Sequence, residues 1–543
     1  MYVVKKLICQ VFQSPPVHYN LNQSQGRAVD IIYKAYDHNG VGLVQGPPGT
    51  GKTSVIVTSL GRLLNKLDKN EVLVYVAPTN ELVKDVTLKV VPILREVLGY
   101  ENVEDIYKAI RIFGSDFDYR EASKVRDPIN KDVKIILTTD YQKFYISYKE
   151  AESEGFSFSF LVDEASKSPI YRFLTPIAME LIRAEKIKKD ISIDSLSVVG
   201  DPMQAIAKKD IYKTHREYLL MVNLLRNMLA GIDPSLAERL SDSSVNLYDI
   251  IQQNIPTLSS LGNFVMLDVT YRLPSPSHTI ISRGFYNDRL SANEGVEKRL
   301  VYRDDLVRSI GHDFISSREV AKVINDAVIN DIGIVYIDVK KSAYMDFQGE
   351  NIDRRRAYRA IEAAIAASIA TGRSTTIIPV YRDMVNYIKF VMMAEDKYAK
   401  YIKALNGLNI EVSVKTAHSL LGAEDENVVL VLGKEYLPFN SDIYSSTMYF
   451  VEPEIFNVQF SRHKALLVIV GNIERLYRNS KRVYRYYSSY TTRNPLGSIL
   501  QFNSKLLMNA SKAALDLCGI RVKGTSISRK KDVDQCEMIE DYG

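Results

Sequence analysis

Tryptophan is absent from this 543-residue chain, and histidine occurs only seven times. The three cysteines, Cys9, Cys518 and Cys536, lie far apart and form no Cys-x-x-Cys pair. That argues against a disulfide framework or a zinc cluster and suits a reducing, intracellular setting. No segment approaches the ~18 unbroken apolar residues of a membrane span, and no long apolar stretch follows the charges of the N-terminus. A soluble chain with no membrane partner is the expectation. Net charge is also scarce, at +5 from 70 basic and 65 acidic residues. Such a balance permits a nucleic-acid partner without arguing for one. No fixed-period repeat and no low-complexity tract is visible, which removes solenoids and disordered scaffolds from consideration.

What is present is a set of short apolar runs separated by helical stretches. In the first half they are Val41 to Val44, Val72 to Val76, Ile135 to Leu137, Phe160 to Val162, Leu196 to Val199 and Val265 to Leu267. In the second they are Ile332 to Ile337, Thr376 to Ile378, Val428 to Leu432 and Leu466 to Val470. Runs this short and this rich in Val and Ile fit strands buried on both faces of a parallel sheet. Alternation with helices predicts α/β layers. The series halts between Gln204 and Val265 and restarts after Pro274, so a boundary is expected near 274. That gives a first domain at 1–273, a second at 274–512 and a tail at 513–543. Pro92 to Asp132 is expected as a small insertion, with Arg111, Arg120, Lys124 and Arg126 beside Phe113, Phe117 and Tyr119. Basic and aromatic residues together suit a single strand, although a solvated loop explains them as well.

Three of these strands end in residues that carry chemistry. Gly46-Pro47-Pro48-Gly49-Thr50-Gly51-Lys52-Thr53 satisfies G-x-x-x-x-G-K-[ST] between a strand and an amphipathic helix. Its glycines let backbone N–H groups turn toward phosphate oxygens, Lys52 reaches the β- and γ-phosphates, and Thr53 ligates Mg²⁺. ATP and Mg²⁺ are therefore the expected ligands. Asp163-Glu164 closes a second strand. There Asp163 suits holding the metal, and Glu164 suits polarising the attacking water. Gln204 follows a third strand through Gly200-Asp201-Pro202-Met203 and is a candidate for positioning that water, or simply an exposed turn residue.

At this point the residues resemble the superfamily 1 helicases, in the up-frameshift-like branch. The resemblance runs from about Asn20 to Asn472 with the motifs in order. It makes Gln25, in Leu21-Asn22-Gln23-Ser24-Gln25, an adenine reader, because an amide both donates and accepts. Ala77-Pro78-Thr79-Asn80 and Thr138-Thr139 resemble nucleic-acid motifs at strand ends. Thr270-Tyr271-Arg272-Leu273-Pro274 implies Tyr271 stacked on adenine and Arg272 on the γ-phosphate. The stretch from Lys415 to Val429, with His418 and Glu424, resembles the element coupling ATP to nucleic acid. Glu424 is then assigned to the nucleotide and His418 to the strand. Asn457 to Lys464 matches the last motif and makes Arg462 the arginine finger.

The family fold implied is two RecA-like P-loop domains with parallel sheets flanked by helices, carrying small accessory insertions and holding ATP in a cleft. The implied activity is an ATP-dependent helicase and translocase on single-stranded DNA or RNA, travelling 5′ to 3′, with a monomer favoured. Lys52, Asp163, Glu164, Gln204, Arg272 and Arg462 are the expected catalytic set. The chain departs from the pattern at Leu421 (usually Gln), Ala423 (usually Arg), Ala205-Ile206-Ala207 (usually Leu-Pro-Pro) and His463 (usually Ala). Few residues precede the adenine motif, so a strand-embracing barrel has no room there. These departures keep open an ATP-gated clamp or remodelling scaffold that hydrolyses ATP but unwinds little.

Overall fold

The computed structural model describes residues 2–117, 129–147, 155–168, 170–204, 234, 238, 262–295, 300–339, 351–417, 424–435, 448–489, 495–518, 520–523 and 526–529. The chain divides into two compact units, Met1–Asp268 and Val269–Gly543. The break falls a few residues before the expected position at 274, so Thr270 to Pro274 belong to the second unit.

The first unit is built on a parallel sheet of seven strands. These are β1 (Val41–Gln45), β2 (Glu71–Ala77), β3 (Ile110–Phe113), β4 (Ile135–Thr139), β5 (Phe156–Val162), β6 (Ile191–Gly200) and β7 (Phe264–Met266), in the order β3-β4-β2-β5-β6-β1-β7. Val44, Val74, Val76, Ile136 and Val198 are fully buried. Each such side chain stabilises the fold by ~1.5–3 kcal/mol relative to exposure. The helices are α1 (Tyr2–Val11), α2 (Gln23–Asp37), α3 (Lys52–Leu64), α4 (Asn80–Leu98), α5 (Val103–Ala109) and α6 (Thr175–Ile187). A capping box starts α2: the Asn22 side chain accepts from the Gln25 N–H, and the Gln25 side chain accepts from the Asn22 N–H. Thr79 caps α4, and Gly99 ends it in the left-handed conformation.

The insertion expected from Pro92 is not one over its described part. Pro92 lies buried inside α4, which runs on to Leu98, and α5 then leads into β3 at the sheet edge. A proline inside a helix removes a hydrogen bond and crowds the preceding turn, yet packing of the Val83–Leu94 face holds the helix together. Arg120, Lys124, Arg126 and Tyr119 lie outside the described residues.

The second unit repeats the plan. Its strands are a short pair, β8 (Val269–Thr270) and β9 (Ser291–Ala292), and β10 (Ile334–Asp338), β11 (Thr375–Pro379), β12 (Val412–Val414), β13 (Asp425–Val431), β14 (His463–Gly471), β15 (Ile520–Lys523) and β16 (Ser526–Arg529). The large sheet has the order β12-β11-β13-β14-β10-β15-β16 and is parallel except for the β15/β16 pair. Around it lie α7 (His278–Phe285), α8 (Glu319–Ile329), α9 (Arg354–Thr371), α10 (Arg382–Ala394), α11 (Asp396–Asn406), α12 (Glu454–Phe460), α13 (Ile473–Ser489) and α14 (Pro495–Leu517). The small side chains of Ala360, Ala363, Ala364 and Ala367 let the second half of α9, from Ala363 to Thr371, sit buried against the strands. The tail expected from 513 begins inside α14, and β15 pairs in parallel with β10.

Candidate active site

The phosphate-binding loop leaves β1 at the C-terminal edge of the first sheet, where parallel α/β folds bind ligands. The Gly46 N–H donates to the Gly200 carbonyl at 2.8 Å, and the Thr50 hydroxyl closes the loop on the Pro47 carbonyl at 2.8 Å. Gly49 and Gly51 have φ of 70° and 81°, values that L side chains adopt only under strain. A Cβ on Gly51 would stand 2.5 Å from Gln25 Nε2, and one on Gly46 would stand 2.3 Å from Lys52 Cγ. Gly51 is therefore held to glycine by its backbone conformation, and a side chain at Gly46 would have to displace that of Lys52. Gln25 donates to the Thr50 carbonyl at 2.9 Å, which ties the start of α2 to the loop. Lys52 donates to the Gly46 carbonyl at 2.9 Å and lies 3.5 Å from Glu164, which Lys167 also meets at 3.1 Å.

Register brings the acidic pair to this loop. β5 lies two strands from β1 in the sheet, with β6 between them, and Tyr75 of β2 pairs with Leu161 of β5. The Tyr75 hydroxyl accordingly donates to Asp163 at 2.9 Å. Burial, then the neighbouring Glu164 charge, pushes the Asp163 carboxyl well above the usual carboxylate range. A buried carboxylate short of positive charge fits a divalent cation, and Thr53 in the first turn of α3 offers the hydroxyl partner. Glu164 adopts a left-handed backbone, φ 47° and ψ 38°, which costs a non-glycine residue ~1–2 kcal/mol. Such strain gathers where a side chain must be aimed. Gln204 is nearly buried and donates to Asp201 at 2.6 Å, and Gln45 also reaches Asp201, at 3.4 Å.

The second unit gathers its own charged group. Arg272 donates to Glu424 at 2.6 Å and to the Ser461 carbonyl at 3.3 Å, and Lys464 meets Glu424 at 2.5 Å. Arg272 and Lys464 outweigh burial and hold the Glu424 carboxyl below its ordinary value. Arg462 is buried, and its Nε donates to the Val458 carbonyl at 3.1 Å. Tyr271, by contrast, is 38% exposed. Because Ser277 donates its proton to the Pro274 carbonyl, His463 must donate to Ser277 through Nε2, at 2.7 Å. Burial, reinforced by Arg272, lowers the His463 pKa to about 3.

Two family models, each described as an AAA domain, match residues 20–142 and 247–474, together more than half of the chain. The chain belongs to the superfamily 1 helicases, in their up-frameshift-like branch. It is an ATP-hydrolysing enzyme of that family. This helicase is 22% identical over 511 residues to an uncharacterized ATP-dependent helicase of Methanocaldococcus jannaschii, covering 85% of this chain and 69% of that one. It is 19% identical to the DNA polymerase alpha-associated DNA helicase A of Saccharomyces cerevisiae, over 88% of this chain and 68% of that one. A solved SWI2/SNF2 ATPase core domain of Sulfolobus solfataricus aligns over 90% of this chain and 94% of its own, at 10% identity and a TM-score of 0.29. The two parallel sheets, rather than that score, identify the helicase fold as RecA-like α/β. Among the described residues no helix is long and apolar enough to cross a membrane.

In the helicase, Gln25, Gly46 to Thr53, Asp163, Glu164 and Gln204 gather at one edge of the first sheet. Arg272, Glu424 and Arg462 gather in the second unit. The nucleic-acid candidates are placed less favourably. Thr138 is fully buried and its hydroxyl donates to the Thr139 carbonyl at 3.0 Å, so the expected side-chain grip is turned into the chain. Thr79 accepts from the Leu82 N–H at 3.4 Å as the cap of α4, Asn80 donates to Ser115 at 2.6 Å, and Pro78 lies half-buried between β2 and that helix. His418, Leu421 and Ala423 lie outside the described residues. Tyr75 and Lys167 escaped the sequence reading, and Asp201 and Lys464 stand within its motifs without a role of their own. A tyrosine within an apolar strand looks like core, and Lys167 carries no motif.

Proposed function

We propose that this helicase moves along single-stranded nucleic acid, 5′ to 3′, as ATP is hydrolysed on its first unit. The observation that carries the reading is the convergence of Lys52, Glu164, Asp163 and Gln25 on a loop held to glycine at Gly51. Lys52 takes the β- and γ-phosphates, Thr53 and Asp163 hold Mg²⁺, and Gln25 and Tyr271 hold the adenine. When bound, Mg²⁺ neutralises charge on the phosphate oxygens. Glu164 orients the attacking water and takes its proton as the γ-phosphoryl group leaves ADP. Gln204, set by Asp201, positions that water from another side. Arg272 and Arg462 neutralise charge developing on the γ-phosphoryl, a role that can supply about 10³–10⁵ in rate. Nucleotide turnover then alternately tightens and releases the strand.

The test measures ATP turnover with matched single strands of DNA and RNA, and unwinding of duplexes tailed at either end. Lys52→Ala should abolish turnover, single strands should stimulate the wild type, and 5′-tailed duplexes should unwind preferentially. An active Lys52→Ala protein would sink the ATP site, and a preference for 3′ tails would sink the polarity. Stimulated turnover without strand separation would favour the ATP-gated clamp.

A further inference from the structure

The helix that follows the last motif carries a charge pattern the ATPase does not use. Within Ile473–Ser489, α13 holds Arg475, Arg478, Lys481, Arg482 and Arg485 against one carboxylate, Glu474. That is nearly the positive charge of the whole chain, whose net is +5. The helix has two faces. Ile473, Leu476, Ser480 and Val483 are fully buried. Arg475, Arg478, Arg482 and Arg485 repeat that spacing two residues later, roughly 200° around the axis. Arg478, Arg482 and Arg485 are exposed. The five cations line a concavity of about 590 Å³, with Asn472 and Asn479 at its floor.

An exposed charged face is ordinarily balanced, because unlike charges at i,i+4 support a helix and like charges there oppose it. Here, among the described residues, Arg478 pairs with Glu474 at 3.8 Å, and the cations neighbour one another along the stripe. Arg475 also lies in the field of the buried Glu435. The fold gains nothing from this repulsion, and a polyanion relieves it. From Arg475 to Arg485 the stripe spans about 15 Å of axis, and a strand stacked as in a duplex, at ~3.4 Å per nucleotide, sets about four phosphates along it. Guanidinium groups suit phosphate because they donate in a fixed fork. Tyr486 is 46% exposed and falls at the same angular position as Arg475 and Arg482, so an aromatic ring shares the basic face. Basic side chains with an exposed ring match single strands, whose bases are free to stack.

We propose that the Arg475–Tyr486 face of α13 is a second binding site for single-stranded nucleic acid, separate from the motif contacts. This rests on the helicase reading for its choice of polyanion. The experiment uses the full chain and labelled single strands, as DNA and as RNA, with a blunt duplex for comparison. Affinity is measured across salt concentrations, together with ATPase activity. Arg478→Gln/Arg482→Gln/Arg485→Gln should weaken single-strand binding at least tenfold at moderate salt. It should make the log-affinity against log-salt slope shallower by about 2, three contacts at ~0.7 each. ATPase activity without nucleic acid should not change. Tyr486→Ala should weaken single strands about tenfold and leave the blunt duplex alone, as loss of one stacked base would do.

Unchanged affinity and slope in the triple variant, beside a wild type that binds, overturns the site. An equal loss from Lys389→Gln/Lys397→Gln/Lys400→Gln, the same charge removed from α10 and α11, also overturns it. Equal losses on strand and duplex with Tyr486→Ala inert overturn the single-strand assignment. A wild type whose ATPase ignores nucleic acid, but whose binding still falls in the triple variant, would refute the translocase reading and support this site.

Discussion

Replacing Arg356 by methionine should cripple the second unit without touching the ATP site. Arg356 sits in the first turn of α9 and is wholly buried. Its guanidinium donates to the carbonyls of Leu432 and Gly433 at 2.8 and 3.0 Å. It pairs with Glu435 at 2.7 Å and with Asp353 at 3.4 Å. Glu435 also accepts from the Asn472 N–H at 3.1 Å, just ahead of α13. Burial lifts the Glu435 carboxyl above its ordinary value even with Arg356 beside it. Methionine fills much of the volume but strands two buried carboxylates. Breaking such a pair from one side costs about 3–5 kcal/mol, and for a unit this large that is a fall of roughly 10 °C in its melting temperature. The sign with pH follows from the raised pKa. The fold binds the Glu435 proton more tightly than the unfolded chain does. The ionisation cost is therefore absent below the unfolded value of ~4.3 and complete above the folded one. Without Arg356 that cost grows, so the deficit relative to wild type should be larger at about pH 8 than at about pH 5. Adding Glu435→Gln and Asp353→Asn should recover more than half of the loss, because neutral amides leave no buried charge and Asn still caps α9. Calorimetry across pH gives the answer. A loss below about 1 kcal/mol, or one independent of pH, refutes the account.

Gly51→Ala must accept a φ of +81° and a Cβ 2.5 Å from Gln25 Nε2. It should cost about 1–3 kcal/mol in thermal denaturation and raise the KM for ATP, and an unchanged KM would contradict the close-approach argument. His463 is kept neutral, with its pKa lowered to about 3. The stability it lends is complete above the unfolded value of ~6.5 and is lost as pH falls toward the folded one. Near pH 5 the loss should be about 2 kcal/mol in urea titrations. His463→Gln, which still donates to Ser277, should remove that loss, and the same acid sensitivity in both proteins would refute it.

The strands flanking the site were legible because they are unbroken Val/Ile runs, buried on both faces. Others were not. Ile110–Phe113 alternates with Arg111, and Val412–Val414 is too short to stand out from its surroundings. The edge pair at 520–529 runs into Arg529-Lys530-Lys531 and an acidic end, charges that suggest a tail. The expected insertion began at Pro92, and local propensity carries no record of the buried face that keeps α4 going through it. The phosphate loop and acidic pair are fixed in sequence by local turn chemistry. Which groups tune them is fixed by register between strands far apart in the chain. Tyr75 reaches Asp163 only because Tyr75 and Leu161 are aligned. Lys464 reaches Glu424 only because Asp425 and His463 are paired between β13 and β14.

The two hydrogen bonds that hold the Gln25 amide bear on which base it would read. A glutamine amide is usually free to turn over and present its donor and acceptor in either order. Here Oε1 faces the Asn22 N–H and Nε2 faces the Thr50 carbonyl, each at 2.9 Å. Turning the amide would set oxygen against oxygen and N–H against N–H, losing two hydrogen bonds worth about 0.5–1.5 kcal/mol each and leaving their partners unpaired. The remaining donor and acceptor therefore point in fixed directions. Adenine offers N7 as acceptor and its amino group as donor, and both are answered. Guanine offers two acceptors along the same edge, and its O6 would meet the amide oxygen. If Gln25 meets the base, as the family resemblance implies, a preference for ATP over GTP would be inherited from the way α2 begins.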